Sequence, residues 1–165
     1  MHINECIIIF QVFRGDSVRI IFLCSGNTCR SPMAEALFGK MVKNIEISSA
    51  GFSTYSGEEA SHYAMLVCRR HGIDLTDFKT TNISDVDFDE VDLVLTATVS
   101  NRDKIKKLYP GINAFTIKEY GGEYDELDIE DPSNGGLGDY VTCFFEIRQA
   151  LEKILENHEE LNQDY

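Results

Sequence analysis

The chain has 165 residues, enough for one domain with a sizeable core, and its 43% apolar and 26% charged residues are those of an ordinary globular protein. A net charge of −13 argues against nucleic acid as a partner, because phosphate backbones demand a basic surface, and more weakly against an anionic membrane. Five cysteines, an odd number with no secretory signal ahead of them, are expected as reduced thiols in a cytoplasm, and no apolar run is long enough to cross a bilayer.

Residues 1–17 open the chain with a short apolar run, Cys6–Phe10, whose flanks are not those of a signal peptide. From Val18 to Leu23 the apolar residues read as a buried strand. A small polar loop follows, Cys24 to Arg30, and then Ser31 and Pro32 read as N-cap and first residue of a helix reaching Val42. Met33, Leu37 and Met41 form its core stripe. Ile45–Ser49 reads as a second strand, with a turn at Ala50-Gly51. Tyr55 lies in the next loop, ahead of a helix from about Glu59 to Arg70 that Gly72 stops. Ile73–Phe78 is a connector, and the acidic stretch Asp85–Asp92 reads as surface. Val91–Ala97 is nearly all apolar, as a central parallel strand should be. A basic helix, Asn101–Tyr109, ends at Pro110-Gly111, and Asn113–Ile117 is a fourth strand. The acidic stretch Glu119–Asp131 reads as a long loop. Tyr140, Phe144, Ile147, Leu151 and Ile154 mark a long amphipathic helix, Tyr140–Leu155. The charged tail, residues 158–165, is expected to fray. Alternating strands and helices predict an α/β fold with a parallel sheet and right-handed crossovers.

The loop after the first strand carries the chemistry. A strand, a tight loop and a helix N-terminus make an anion site, because loop amides and the helix dipole all present positive partial charge inward. Cys24 at its start is a nucleophile whose anionic form those dipoles and Arg30 would favour. Arg30 presents a planar donor fork matched to two phosphoryl oxygens. Gly26 lets the backbone approach a ligand closely, and Asn27 tolerates the left-handed conformation that an inward-curling loop needs. Ser31 is placed to donate a hydrogen bond to the Cys24 sulfur. The alternative is a buried strand ending in a turn with incidental cysteines. No metal-ligand spacing is seen, and no cofactor is implied.

Cys-x-x-x-x-x-Arg-Ser at this place resembles the phosphate-binding loop of the low-molecular-weight protein tyrosine phosphatase family. The longer string from Cys24 through Ser31, Pro32, Met33 and Ala34 to Glu35 is closest to its bacterial protein arginine phosphatase branch. The resemblance covers the chain from about Val18 and implies a single phosphatase domain over 18–157. It further implies a three-layer fold with a four-stranded parallel sheet in the order 2-1-3-4, flanked by helices, with the phosphate loop after the first strand. Residues 1–17 are then extra, read either as a misassigned start, with translation beginning at Val18, or as a genuine edge strand or partner-binding arm.

What the resemblance implies for the site is specific. Cys24 attacks phosphorus, and Arg30 and the loop residues Ser25, Gly26, Asn27, Thr28, Cys29 and Ser31 hold the phosphoryl group. The general acid is an aspartate before a proline. The residues alone do not separate Asp131 from Asp128 and Glu130; the family pattern selects Asp131, followed by Pro132. Tyr55 is a candidate aromatic wall, and a solvent-facing tyrosine is the other reading. Cys29 either forms a reversible disulfide with Cys24 or packs under the loop. Partners are a phosphorylated protein and inorganic phosphate as product, with a monomeric enzyme expected. Thr28 stands where tyrosine-specific relatives carry a bulky aliphatic residue, which leans the substrate towards phosphoarginine. Ser133 and Asn134 stand where that branch often has phenylalanine after Asp-Pro, which leans against it. Two further classes are a thiol-coupled arsenate reductase, for which Cys68 has no near partner cysteine, and a non-catalytic phospho-binding module.

Overall fold

Ile20 to Cys24 are all buried, and an extended segment with no exposed residue belongs in the middle of a sheet covered on both sides. These residues form most of β1, Val18–Cys24. The computed structural model describes residues 17–162, so the N-terminal extension read above, through residue 16, lies outside the described residues. β2 (Ile45–Gly51) and β3 (Leu93–Thr96) flank β1, and β4 (Ala114–Thr116) pairs with β3. All pairings are parallel, in the expected order β2-β1-β3-β4.

Side chains of β1 alternate between two cores. Ile20 and Phe22 pack with Phe38, Val67, Phe144 and Ile147 under α1 (Arg30–Met41), α2 (His62–Arg70) and α5 (Leu137–Asn157). Ile21 and Leu23 pack on the other face with Phe88, Val94 and Ile105, the last from α3 (Val99–Leu108). The result is the three-layer arrangement expected. A short helix, α4 (Ile117–Tyr120), follows β4 directly, within a stretch expected as strand end and loop. Its capping box explains it: Glu119 N donates to Thr116 Oγ1 at 3.0 Å, and Thr116 N donates to the Glu119 carboxylate at 3.1 Å.

Other boundaries move for physical reasons. β2 runs through Ala50 and Gly51 instead of turning there, because Gly51 pairs with Cys24 and its N–H bonds the Thr81 carbonyl at 2.9 Å. Ser31 is not an N-cap: α1 begins at Arg30, Cys29 holds the cap position, and the Ser31 hydroxyl is engaged elsewhere. α3 starts at Val99, where the Thr98 hydroxyl accepts from Asn101 N. Residues 158–162 of the tail do not fray. His158 and Leu161 are buried, the His158 ring stacks on Tyr120 at 4.1 Å, and a 3-10 turn covers Glu159–Asn162. Phe88 anchors the acidic stretch before β3, where two 3-10 turns replace a featureless surface segment.

Candidate active site

β1 delivers Cys24 to the carboxyl edge of the sheet, and α1 begins six residues later with Arg30. The loop between is held from outside by three backbone donors. Phe52 N donates to Cys24 O at 3.3 Å, Ser53 N to Ser25 O at 2.8 Å and Ser61 N to Thr28 O at 2.8 Å. The first two continue the β1–β2 pairing past the end of the strands. Gly51 makes this approach possible: a Cβ there would lie 2.9 Å from Asn27 N, Asn27 Cβ and Ser25 O.

Asn27 is the hub of the loop. It is fully buried with φ of 53°, the left-handed conformation expected of it. Thr81 N donates to its Oδ1 at 2.8 Å, which fixes the orientation of the amide. Its Nδ2 then donates to Ser31 Oγ at 2.8 Å and to Ser49 Oγ at 2.9 Å. Ser31, having accepted from Asn27, is free to donate its own proton to Cys24 Sγ, 2.9 Å away. Asn27 N donates to the same sulfur at 3.2 Å. Ser49 Oγ donates a hydrogen bond to the Glu35 carboxyl of α1. Burial raises that carboxyl above its ordinary range, opposed in part by the Ser49 hydrogen bond.

Arg30 is 4% exposed, with one edge of its fork donating to Ile129 O at 2.9 Å. Its other edge lies 3.5 Å from Asp131 Oδ2. Asp131 is half exposed, and its Oδ1 accepts from Ser133 N at 3.0 Å, capping a 3-10 turn over Pro132–Asn134. Guanidinium and carboxyl thus come together from residues 30 and 131, and Ser31, next to Arg30, holds the Cys24 sulfur. Pro132 is buried, which anchors the carboxyl from behind.

Cys29 and Cys24 are both free, buried thiols. Cys29 Sγ lies 3.2 Å from the Tyr140 hydroxyl and 3.5 Å from Thr28 Oγ1. Burial, with the Cys29 thiol beside it, pushes the Tyr140 phenol up to about 12. Tyr140, read as core, also accepts from Ser61 Oγ at 3.1 Å and so ties α5 to the start of α2. Tyr55 is 82% exposed, two residues past the Ser53 amide that holds the loop. Gly51, Ser49, Thr81 and Tyr140 are the site residues that sequence reading missed. Only Gly51 left a signal, a glycine ending a strand, where close backbone approach is one of its uses.

A parallel α/β sheet whose first strand runs into a buried loop framed by a thiol and a guanidinium, at a helix N-terminus, defines a phosphate-loop protein of the cysteine class. A family model described as low molecular weight phosphotyrosine protein phosphatase matches residues 19–165, and the chain belongs to this family. It is a cysteine-based low molecular weight phosphatase. The low molecular weight protein-tyrosine-phosphatase PtpB of Staphylococcus epidermidis is 33% identical over 143 residues, which span 86% of this chain and 100% of that protein. The protein-arginine-phosphatase of Geobacillus stearothermophilus is 33% identical over 141 residues, 84% of this chain and 94% of that one. A solved structure of the YwlE arginine phosphatase from Geobacillus stearothermophilus superposes with a TM-score of 0.79 at 31% identity, covering 90% of this chain and 99% of that one. Among the described residues, no helix is long and apolar enough to cross a membrane.

Proposed function

We propose that this phosphatase removes the phosphoryl group from phosphoarginine in proteins, through a phosphocysteine intermediate. The observation that carries the mechanism is the convergence of two donors, Ser31 Oγ and Asn27 N, on the Cys24 sulfur; the fork of Arg30, the residue before Ser31, faces the Asp131 carboxyl. In the first step the Cys24 thiolate attacks phosphorus in line. The S–P bond forms, the bond from phosphorus to the leaving nitrogen breaks, and Asp131 gives its proton to that nitrogen. Loop amides and Arg30 carry the charge of the equatorial oxygens, the term expected to dominate. In the second step Asp131 takes a proton from water, the water oxygen attacks phosphorus, and the S–P bond breaks to release inorganic phosphate and the thiolate. Ser31 stabilises the departing sulfur by the same hydrogen bond.

Thr28 supports the arginine substrate. It is half-buried, and its hydroxyl would lie 3.5 Å from a Cβ placed on Gly26, so it faces across the loop. A small polar group there leaves room for a guanidine. Ser133 and Asn134, next to Asp131, are both exposed; their polar edge, where the arginine branch often has phenylalanine, weighs against this substrate. Tyr55 favours a second reading, phosphotyrosine, because an exposed phenol bordering the loop is a ready wall for an aromatic ring. Arsenate reduction is disfavoured: it needs further thiols to relay a disulfide, and Cys68 and Cys143 are buried, which pushes both thiols up to about 12. A monomer working in a cytoplasm, with its described cysteines free, fits the same reading.

The test is kcat/KM on phosphoarginine and phosphotyrosine peptides, with Cys24→Ser as blank. Preference for phosphoarginine that Thr28→Ile reverses is the expected result. A phosphotyrosine preference of the unaltered enzyme overturns the substrate assignment and moves specificity to the Tyr55 rim.

A further inference from the structure

The segment that carries Asp131 is held by point contacts from other parts of the fold and not by secondary structure of its own. From Gly121 to Asp131 there is no helix or strand, and Ile129 is its one buried hydrophobic residue. Glu126 adopts a φ of 49°, a conformation that L residues with side chains rarely take unless the surroundings impose it. An acid on such a segment sits over the thiol only if something fixes the backbone leading to it.

Lys118 of α4 does this. Its side chain runs inward, leaving the residue 9% exposed, an unusual place for a lysine. The ammonium donates to Glu126 O at 3.0 Å and to Asp128 O at 3.2 Å, and it pairs with the Glu146 carboxylate of α5. Its three protons thus have three acceptors. The Glu126 carbonyl it holds belongs to the residue with positive φ. Ile129 then turns its groups elsewhere: its N–H bonds Ala97 O at 2.8 Å, and its carbonyl accepts from Arg30 at 2.9 Å. Asp128 Oδ1 caps the start of α3 by accepting from Val99 N at 2.7 Å. With the carbonyls of residues 126 and 128 fastened to Lys118, the carbonyl of residue 129 faces Arg30, and Asp131 follows two residues on.

We propose that Lys118 is a positioning residue for the general acid: it sets the backbone that delivers the Asp131 carboxyl to the leaving group, and it touches neither substrate nor thiol. The inference rests on Asp131 being the acid. Its signature is leaving-group dependence, because a well-placed proton matters most when the leaving group is strongly basic.

The experiment compares kcat/KM for p-nitrophenyl phosphate, whose leaving group needs little help, with that for phenyl phosphate, whose leaving group needs a proton. Asp131→Asn raises the p-nitrophenyl to phenyl ratio by roughly a hundredfold. Lys118→Met is expected to raise it by roughly tenfold, with the inhibition constant of inorganic phosphate changed less than about twofold. In the Asp131→Asn background, Lys118→Met should leave the ratio where Asp131→Asn alone puts it. Glu146→Gln, which leaves both carbonyl bonds of Lys118 in place, should not move the ratio. If Lys118→Met does not fold, Lys118→Gln, which keeps one amide donor, replaces it with a rise of about threefold or more expected. Equal losses on both substrates, or a further rise in the Asp131→Asn background, would overturn the role of Lys118. A flat ratio in Asp131→Asn itself would instead remove Asp131 as the acid.

Discussion

The molecule holds its two reactive parts in opposite ways. The loop from Cys24 to Arg30 has an internal network, Asn27 and Ser31 bonding each other and the sulfur, and the backbone amides of Phe52, Ser53, Ser61 and Thr81 fasten it from outside. The segment from Gly121 to Asp131 is mostly exposed and lacks such a network; it is fastened at single points by the nearby Lys118 and by Arg30, Ala97 and Val99 farther off in sequence. On the function proposed above, phosphate binding rests on the internal network of one tethered loop, and proton delivery on point contacts to an exposed segment. Damage to the first region should cost binding and chemistry together. Damage to the second should cost chemistry alone.

The largest effect tests the chemistry of the first region without disturbing its shape. Cys24→Ser is expected to lower turnover by roughly four orders of magnitude or more, because the covalent step is lost. Phosphate should still bind within a few-fold, as titration calorimetry would show, because amides and Arg30 remain. Next comes a test of shape without loss of a reacting group. Gly51→Ala puts a methyl 2.9 Å from the backbone of Asn27 and Ser25. Backbone cannot yield as a flexible side chain does, so a stability loss of about 1–3 kcal/mol is expected together with weakened phosphate inhibition. A variant with normal phosphate affinity would show that the loop does not depend on this close approach.

Asn27 allows a finer division of the same region. Asn27→Ala loses both hydroxyl partners, strands the Thr81 N–H and keeps an unfavourable φ, for a loss of about 2–4 kcal/mol in denaturant unfolding. Asn27→Gly relieves the φ but not the lost bonds. It should recover roughly 1 kcal/mol of stability and little of kcat. Full recovery of kcat by glycine would mean that Asn27 matters only for its backbone.

How much of this was readable follows from distance along the chain. The Cys24–Arg30 cradle was legible because the motif is contiguous and its residue types have few other reasons to occur together; sheet order and layers came with the family resemblance that this motif carries. The left-handed Asn27 was read from its own chemistry. Ser31 was given two roles, and the one with the sulfur is realised; the helix-cap role fails because the same hydroxyl is already engaged. Asp131 needed the family pattern, since nothing local separates it from Asp128, whose carboxylate in fact caps α3. Tyr140 kept its place in a core stripe while its hydroxyl met Cys29, 111 positions away, and no local pattern encodes that contact. Lys118, between an expected strand and an expected loop, looked like any surface lysine, because burial by a later loop leaves no trace in its neighbours.

The smallest effect concerns the far end of the first region's network, where Ser49 donates to Glu35. Burial raises the Glu35 carboxyl, so the folded state holds that proton to higher pH than the unfolded chain does. The sign follows by linkage. The contribution to stability is fully present below the unfolded value and is lost as pH rises from there through the raised folded value. Glu35→Gln keeps an acceptor for Ser49 and removes the ionisation. The variant should therefore flatten the fall of Tm with pH across that window, with little change in kcat, since Asn27 and Ser31 still reach the sulfur. A Tm difference between the two proteins that stays constant from acid to neutral pH would show that the Glu35 proton is not coupled to folding. The loop would then stand on its hydrogen bonds alone.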